Sequence, residues 1–472
     1  MAKIVGGPLV FLLILMVPMD MPTDAKRVIG VAAWMLVWWV LEAVPIAVTA
    51  LLPILLFPLT GVLTVEEATA PYGSRYVFLF LGGFIIALAL EKWKVHKRIA
   101  LSIVRLTGDG AKRIVLGFML ASAFLSMWIS NTATTLMMLP IAASVVTLLQ
   151  DDSKTDKKES SKFALVLMLS IAYAANIGGI ATLVGTPPNA AMAGILSDQY
   201  GIEVGFMEWM AIGLPFSAVV LWLTYLLLTR VIYPIRIGRF SGGAALIKTE
   251  LQKLGKTSVS EQRVLMVFVI TAALWVFRSP LNKTLGSDLD DTIIAIIGAV
   301  LLFVLPSGTV DEDDKPQRLL DWPDTQKLPW GILLLFGGGL ALAKAFDQSG
   351  VVDMIASGFE SWDPSYTWLL IVAMTVLALF LTELMSNLAL VNIMVPVAAA
   401  IGVGMGYEPM LLAIPVTLAS SCAFMLPMAT PPNAIVFASG YIRIPQMARA
   451  GVLLNICAAI VAVIYLYLRG GF

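Results

Sequence analysis

The run FLSMWISNTATTLMMLPIAAS, Phe124 to Ser144, returns in altered form as FLTELMSNLALVNIMVPVAAA, Phe380 to Ala400. A chain that carries such a duplication is expected to fold as two like halves. Each copy holds a Ser-Asn pair inside otherwise apolar sequence. Ser386 minus Ser130 and Pro396 minus Pro140 both give 256, and the same offset carries Gly82-Gly83 onto Gly338-Gly339. A second motif, GTPPN at 185–189, recurs as ATPPN at 429–433 with an offset of 244, so the second half is shorter between its paired motifs.

The 472 residues are 59% hydrophobic and 13% charged, with a mean hydropathy of +0.89. Soluble domains carry roughly 25% charged residues, so the chain is read as an all-α polytopic membrane protein. Two-fold internal repetition in such a protein marks a secondary transporter with its ligand held between the repeats. The balance of 31 basic and 31 acidic residues provides no bulk attraction for nucleic acid, which is set aside as a partner. Cys422 and Cys457 lie in apolar segments without metal-ligand spacing and read as packing residues. The first 21 residues read as an uncleaved first transmembrane helix.

Eleven apolar spans are placed at 8–22, 28–43, 45–60, 76–90, 162–197 with a break, 210–230, 264–279, 292–306, 330–346, 409–440 with a break, and 450–468. The duplicated blocks at 111–149 and 367–402 remain, each interrupted at its Ser-Asn pair, which suits two re-entrant hairpins. Charge then sets the topology. The arm from Glu91 to Arg113 contains Lys92, Lys94, Lys97, Arg98, Arg105, Lys112 and Arg113, whereas its partner from Asp347 to Leu369 contains Asp347, Asp353, Glu360 and Asp363 and no Lys or Arg. The positive-inside rule puts the first arm in the cytoplasm and the second outside, making the repeats inverted. The acidic loop Ser197–Trp209 agrees as external, and the basic stretch Arg230–Arg263 as a cytoplasmic connector; Lys26 and Arg27 do not fit. The N-terminus is then cytoplasmic and the C-terminus external.

Pro187-Pro188 and Pro431-Pro432 force breaks, because proline has no N–H and clashes with the preceding turn. Two hairpin tips and two broken helices therefore expose four helix N-termini, each worth roughly +0.5 charge, or about +2 in total toward a central ligand. That potential matches a dianion bound without arginine. Ser126, Ser130, Asn131, Thr132, Thr382, Ser386, Asn387 and Thr430 place neutral oxygens and amides at these points. Neutral ligands favour sodium over proton as the coupling ion.

Paired Ser-Asn tips, paired Thr-Pro-Pro-Asn breaks and WWVLEAVPIAVTALLP at Trp38–Pro53 resemble the divalent anion:sodium symporter family, which includes INDY-like and mammalian sodium/dicarboxylate and sodium/citrate carriers. The resemblance covers essentially the whole chain. It implies a homodimer in the cell membrane whose protomers slide a transport domain past a scaffold as an elevator. By that likeness residues 1–110 and 264–366 form the scaffold, 111–230 and 367–472 the transport domain, and 231–263 the connector; arms at 91–110 and 347–363 link the two domains. It further implies one sodium held by Ser126, Ser130, Asn131 and the Gly185 carbonyl, and another by Thr382, the Met385 carbonyl, Asn387 and the Ala429 carbonyl. Substrate carboxylates would lie between Ser130-Asn131-Thr132 and Ser386-Asn387, with Thr186, Pro187, Thr430 and Pro431 lining the site. The departure is Leu388, where the family signature has threonine, so one donor to the substrate is missing.

The expected function is sodium-coupled import of C4 dicarboxylates such as succinate, malate or fumarate, with two or more sodium ions and no organic cofactor. A dicarboxylate exchanger, or a citrate or sulfate carrier on the same fold, is the alternative. One histidine, no HExxH and no Gly-x-Ser-x-Gly argue against an enzyme. Glu383, three residues before Ser386, falls opposite Met127 in the repeat and is read as a structural hydrogen-bonding group. His96 reads as solvated or facing headgroups, Glu42 as anchoring a helix end, and the acidic cluster Asp311–Asp314 as a solvated loop.

Overall fold

In hydrocarbon the backbone has only itself to bond with, so long apolar segments become helices. The computed structural model describes residues 2–151, 156–238, 241–310 and 316–468, and the acidic cluster Asp311–Asp314 lies outside them. The first half runs α1 (Ala2–Met16), α2 (Thr23–Leu41), α3 (Ile46–Thr49), α4 (Leu52–Thr60), α5 (Val65–Thr69) and α6 (Arg75–Lys92). An arm, α7 (Val95–Thr107), leads to a helical hairpin, α8 (Ala111–Ser126) and α9 (Asn131–Asp151), then to a broken helix, α10 (Lys157–Ile180) and α11 (Pro187–Tyr200), and to α12 (Phe206–Leu226). The connector is itself partly helical, α13 (Ser241–Lys253).

The second half repeats the plan. α14 (Val259–Leu285) and α15 (Asp291–Val304) precede a two-stranded antiparallel hairpin, β1 (Pro306–Val310) with β2 (Pro316–Arg318), which no sequence signal announced. α16 (Trp330–Gln348) and the arm α17 (Val351–Ser357) lead to a second hairpin, α18 (Thr367–Leu381) and α19 (Asn387–Gly404). A second broken helix, α20 (Met410–Ser420) and α21 (Pro431–Ala438), and α22 (Ile444–Leu468) complete the fold.

Among the described residues nine helical stretches are long and apolar enough to cross a bilayer. Three of them, Asn131–Gln150, Pro364–Leu381 and Asn387–Gly404, are hairpin arms, which the sequence reading kept apart from its eleven spans. Conversely, breaks and prolines leave Ile46–Thr60 and Met410–Ser420 apolar but short. Burial orders the helices. α10 is buried throughout its apolar length, as a helix apolar on every face must be, whereas α14 and α22 expose most of theirs at the periphery.

Ion pairs fix which helix ends lie together. Lys92 Nζ meets Asp324 at 2.7 Å, Lys97 meets Glu250 at 3.3 Å and Arg98 meets Glu261 at 2.9 Å, gathering the end of α6, α7, α13 and the start of α14. Arg75 meets Glu203 at 2.9 Å and Asp290 at 3.7 Å, gathering the start of α6, the end of α11 and the start of α15 at the opposite end. The Ala111 N–H donates to the Gly238 carbonyl and the Arg236 N–H to Glu159, so the first hairpin opens at the connector end. Gln199 donates to the Ala343 carbonyl at 2.7 Å, which puts the end of α16, and with it α17 and the mouth of the second hairpin, at the Arg75 end. Tyr233 to Gln446 and Tyr465 to Ala211 lay α22 antiparallel to α12. The two hairpins thus open toward opposite ends of the bundle.

His96 is not fully solvated, one of the two readings the sequence left open for it beside facing headgroups. It is half-buried on α7, its Nδ1 is 2.8 Å from the Leu90 carbonyl, and burial pushes its pKa below the ordinary histidine range. Glu42 is exposed and closes α2 in the left-handed region at φ 45°, a conformation glycine adopts more readily.

The duplicated glycines mark close helix crossings. A Cβ on Gly82 would sit 2.7 Å from Ala295 Cβ and 2.9 Å from its carbonyl carbon, one on Gly338 would strike the Ala50 backbone, and one on Gly339 would strike Asn392. Gly82→Val is expected to force α6 off α15 and cost about 2 kcal/mol or more. Thermal unfolding in detergent reads this directly, and an unchanged midpoint would show that the crossing tolerates bulk.

Candidate functional site

Each hairpin tip is tied by one hydroxyl to one asparagine. α8 ends at Ser126 and α9 begins at Asn131, and Ser126 Oγ donates to Asn131 Oδ1 at 2.6 Å. α18 ends at Leu381 and α19 begins at Asn387, and Thr382 Oγ1 lies 2.8 Å from Asn387 Oδ1 and against the Ser420 carbonyl, its one proton shared between these two acceptors. The 256 offset aligns Ser126 with Thr382 and Asn131 with Asn387, so duplication has preserved a hydrogen bond as well as residues. Ser130 caps α9 by accepting the Ala133 N–H at 3.2 Å. Both asparagines are half-buried, while Leu388 is buried.

The broken helices are knotted by the last residue of each motif. Pro187-Pro188 and Pro431-Pro432 open α11 and α21, where a missing N–H is harmless. Asn189 Nδ2 donates to the carbonyls of Gly179, Ile180 and Thr182, at 3.1, 3.3 and 2.7 Å, and so satisfies oxygens freed by the break. Asn433 Nδ2 does the same for Ala423 and Leu426, each at 3.0 Å. Thr186 and Thr430 are buried N-caps, and Thr430 Oγ1 accepts from Asn433 N at 3.4 Å. Pro187 is half-buried and Pro431 exposed.

Tip and break meet in the first half through glycines. A Cβ on Gly179 would lie 2.7 Å from Asn131 Oδ1, and one on Gly185 would lie 2.5 Å from the Gly179 carbonyl and 3.0 Å from both the Ser126 carbonyl and Thr182 Oγ1. Oxygen atoms therefore converge on Gly185 from the tip and from the break, and all of them are uncharged. Hard monovalent and divalent cations take such oxygen ligands. Thr182 Oγ1 also donates to the Met127 carbonyl at 2.5 Å, clasping the break to the tip.

The halves interlock. α9 packs on α21, and α11 on α19, so each break rests on the hairpin of the other repeat. Asn176 on α10 donates to Thr430 Oγ1 at 3.1 Å, which joins the first broken helix to the second. At the tip itself Trp128 lies near Trp275 at 6.4 Å and 10° between planes, with Phe206 and Phe268 completing an aromatic cluster against α14.

Of the expected residues, Ser126, Ser130, Asn131 and Gly185 fall in one cluster, and Thr382 and Asn387 in another. Met385 is buried, with its N–H on the Leu381 carbonyl, and Ala429 closes a turn onto the Leu426 carbonyl. Thr132 and Ser386 are half-buried beside the two asparagines. Sequence reasoning passed over Asn189 and Asn433, although their repetition within the motif was a usable signal. It also passed over Asn176, which the 244 offset aligns with Ser420 and which therefore carried no mark of symmetry.

Comparison with known proteins gives the family and the fold. Residues 3–469 match the family described as the sodium:sulfate symporter transmembrane region. The sodium-dependent dicarboxylate transporter SdcS of Staphylococcus aureus strain RF122 / ET3-1 is 41% identical over 467 residues, spanning 98% of this chain and 89% of that protein, and SdcS of strain USA300 matches equally. Two solved structures share the fold at low identity. The Alcanivorax borkumensis YdaH transporter aligns with a TM-score of 0.58 at 15% identity over 88% of this chain and 89% of its own. Neisseria gonorrhoeae MtrF aligns at 0.54 and 10% identity over 96% of each. Duplicated tips tied by a hydroxyl to an asparagine, and a match running almost from end to end, make this chain a member of the sodium:sulfate symporter family, the group its motifs resemble as divalent anion:sodium symporters.

Proposed function

We propose that the protein imports C4 dicarboxylates such as succinate, malate or fumarate with sodium, by carrying a bound load through an elevator-like movement. The observation that carries this reading is the pair of half-buried tip asparagines, each with its Oδ1 held by the hydroxyl of Ser126 or Thr382 among neutral oxygens, which leads us to assign each Nδ2 to the anion. One sodium is assigned to Ser126, Ser130, Asn131 and the Gly185 carbonyl, the other to Thr382, the Met385 carbonyl, Asn387 and the Ala429 carbonyl. Both donor sets are oxygen-only, as a small hard cation requires. The dicarboxylate is assigned to Ser130, Asn131, Thr132, Ser386 and Asn387, with Thr186, Pro187, Thr430 and Pro431 at its margin.

The chemistry is one of placement. Sodium on Oδ1 fixes the plane of each amide, and the Nδ2 protons then face a carboxylate. The N-termini of α9, α19, α11 and α21 add their partial positive charge, so a dianion is stabilised without a formal cation from the protein. Residues 111–230 and 367–472 move as the transport domain, and 1–110 with 264–366 stay as the scaffold of a homodimer. The Trp128 cluster on α14 lies at the boundary between them. The excess of Lys and Arg on the arm α7 supports a connector end and an N-terminus in the cytoplasm, with the C-terminus outside. The 41% identity with SdcS, whose name specifies dicarboxylate, favours that cargo over sulfate or citrate.

Proteoliposomes test the reading. Empty vesicles under an inward sodium gradient are expected to accumulate labelled succinate above the external level, with little uptake in choline and weaker uptake of citrate and sulfate. Uptake that needs internal dicarboxylate and ignores sodium would make the protein an exchanger.

A further inference from the structure

The two breaks are not equal in length. α10 continues to Ile180, whereas α20 stops at Ser420, which the 244 offset aligns with Asn176, so the second break begins one helical turn earlier. Phe424, Met425 and Leu426 lie outside the helix; the counterparts of the last two, Ala181 and Thr182, do too, but Ile180, aligned with Phe424, still ends α10. Glu383 takes the N–H groups of Phe424, Met425 and Leu426. Its Oε1 accepts from Phe424 N at 2.8 Å and Met425 N at 2.9 Å, and its Oε2 accepts from Leu426 N at 3.1 Å. Asn455 of α22 adds its Nδ2 to Oε1 at 3.0 Å. Successive backbone N–H groups pointed at one anion form a nest, and here the anion belongs to the protein and is 2% exposed.

The first half makes the same tie with other atoms. Met127 occupies the position of Glu383, and its backbone carbonyl accepts from Thr182 Oγ1, the residue aligned with Leu426. Tip and break are joined in both halves, by a neutral bond in the first and by a carboxylate in the second.

We propose that Glu383 is a positioning residue for the second sodium site, with Asn455 as its brace. The carboxylate holds the segment 421–430 unwound beside the tip, so that the Ala429 carbonyl stays aimed at the ion Asn387 shares, and it adds a negative charge that the first site lacks. Thr382, whose hydroxyl bonds both Asn387 and the Ser420 carbonyl, precedes Glu383 directly and ties that tip to the end of α20. The two sodium sites are therefore unequal, and the second depends on a charge the first does without. This inference rests on the sodium-coupled reading above.

Glu383→Gln preserves size but puts an NH2 group where Oε2 or Oε1 must accept. Sodium-driven uptake by this variant is expected to need about tenfold more sodium for half-saturation, as loss of a charge-assisted network implies, with the maximal rate at saturating sodium falling less than about threefold. Asn455→Ala removes one donor of four and is expected to shift sodium half-saturation in the same direction by about threefold. Wild-type sodium dependence in folded Glu383→Gln overturns the proposal. Should that variant fail to fold, wild-type sodium dependence in Asn455→Ala overturns it instead. A wild-type carrier indifferent to sodium would sink the functional reading itself, whereas sodium-driven wild-type uptake with both variants unshifted sinks this inference alone.

Discussion

Asn131→Ala is expected to lower sodium-driven dicarboxylate uptake by about a hundredfold or more, and Asn387→Ala to do the same, in proteins that still fold. Each asparagine serves two ligands with one amide, so alanine deletes a cation ligand and an anion donor together. A hydrogen bond to a charged partner is worth about 1.5–3 kcal/mol, and each 1.4 kcal/mol is about tenfold, so two such losses compound. The structural cost is smaller. Asn131 opens α9 and is half-buried, alanine is the strongest helix former, and only the Ser126 hydroxyl loses its partner, at about 1 kcal/mol. Asn131→Asp separates the roles: its carboxylate still offers oxygen to sodium, but it has no proton for the substrate. Sodium alone should still raise its melting temperature, while succinate adds nothing. Wild-type uptake by well-folded Asn131→Ala or Asn387→Ala would remove the tips from the site.

What sequence disclosed about this site depended on whether side chains or backbone made the contact. The tips were legible because Ser-Asn within apolar sequence is costly unless it breaks a helix, and α8 and α18 do stop within five residues of the pair. The breaks were legible because two prolines in succession cannot continue a helix. Met127 and Glu383 were not. As side chains they share nothing, and Glu383 was set outside the symmetric constellation on that ground, although its hydrogen-bonding role was foreseen. In three dimensions both positions join tip to break, one through a main-chain oxygen that no residue letter records. Asn176 illustrates the same limit: its bond to Thr430 crosses from one repeat to the other and has no image under the repeat's own symmetry. The helix α13 was hidden for a further reason, since its mostly polar sequence carries only a short apolar face, Leu246, Ile247 and Leu251, beside the Lys97–Glu250 pair.

Sodium is expected to load before the dicarboxylate, and replacing it with choline to weaken succinate binding by about a hundredfold or more. The assigned anion site contains no Lys or Arg, so the only full positive charges near the substrate are the ions themselves. A unit charge about 4 Å from a carboxylate contributes roughly 4 kcal/mol at an effective dielectric of 20, and each 1.4 kcal/mol is tenfold, which sets the scale of the loss. The order follows from the amide. Without an ion, Oδ1 of each asparagine answers only to the Ser126 or Thr382 hydroxyl, and the Nδ2 protons are not held toward a ligand. With an ion, the oxygen end is pinned and the nitrogen end must face the cavity. Reciprocity then requires succinate to raise sodium affinity by the factor by which sodium raises its own. Calorimetry or thermal shift on detergent-solubilised protein reads both arms: sodium alone stabilises, succinate stabilises further only in sodium, and succinate alone in choline does nothing. Equal succinate binding in choline and sodium would mean that the positive charge in the site comes from somewhere other than the ions that Asn131 and Asn387 are assigned to hold.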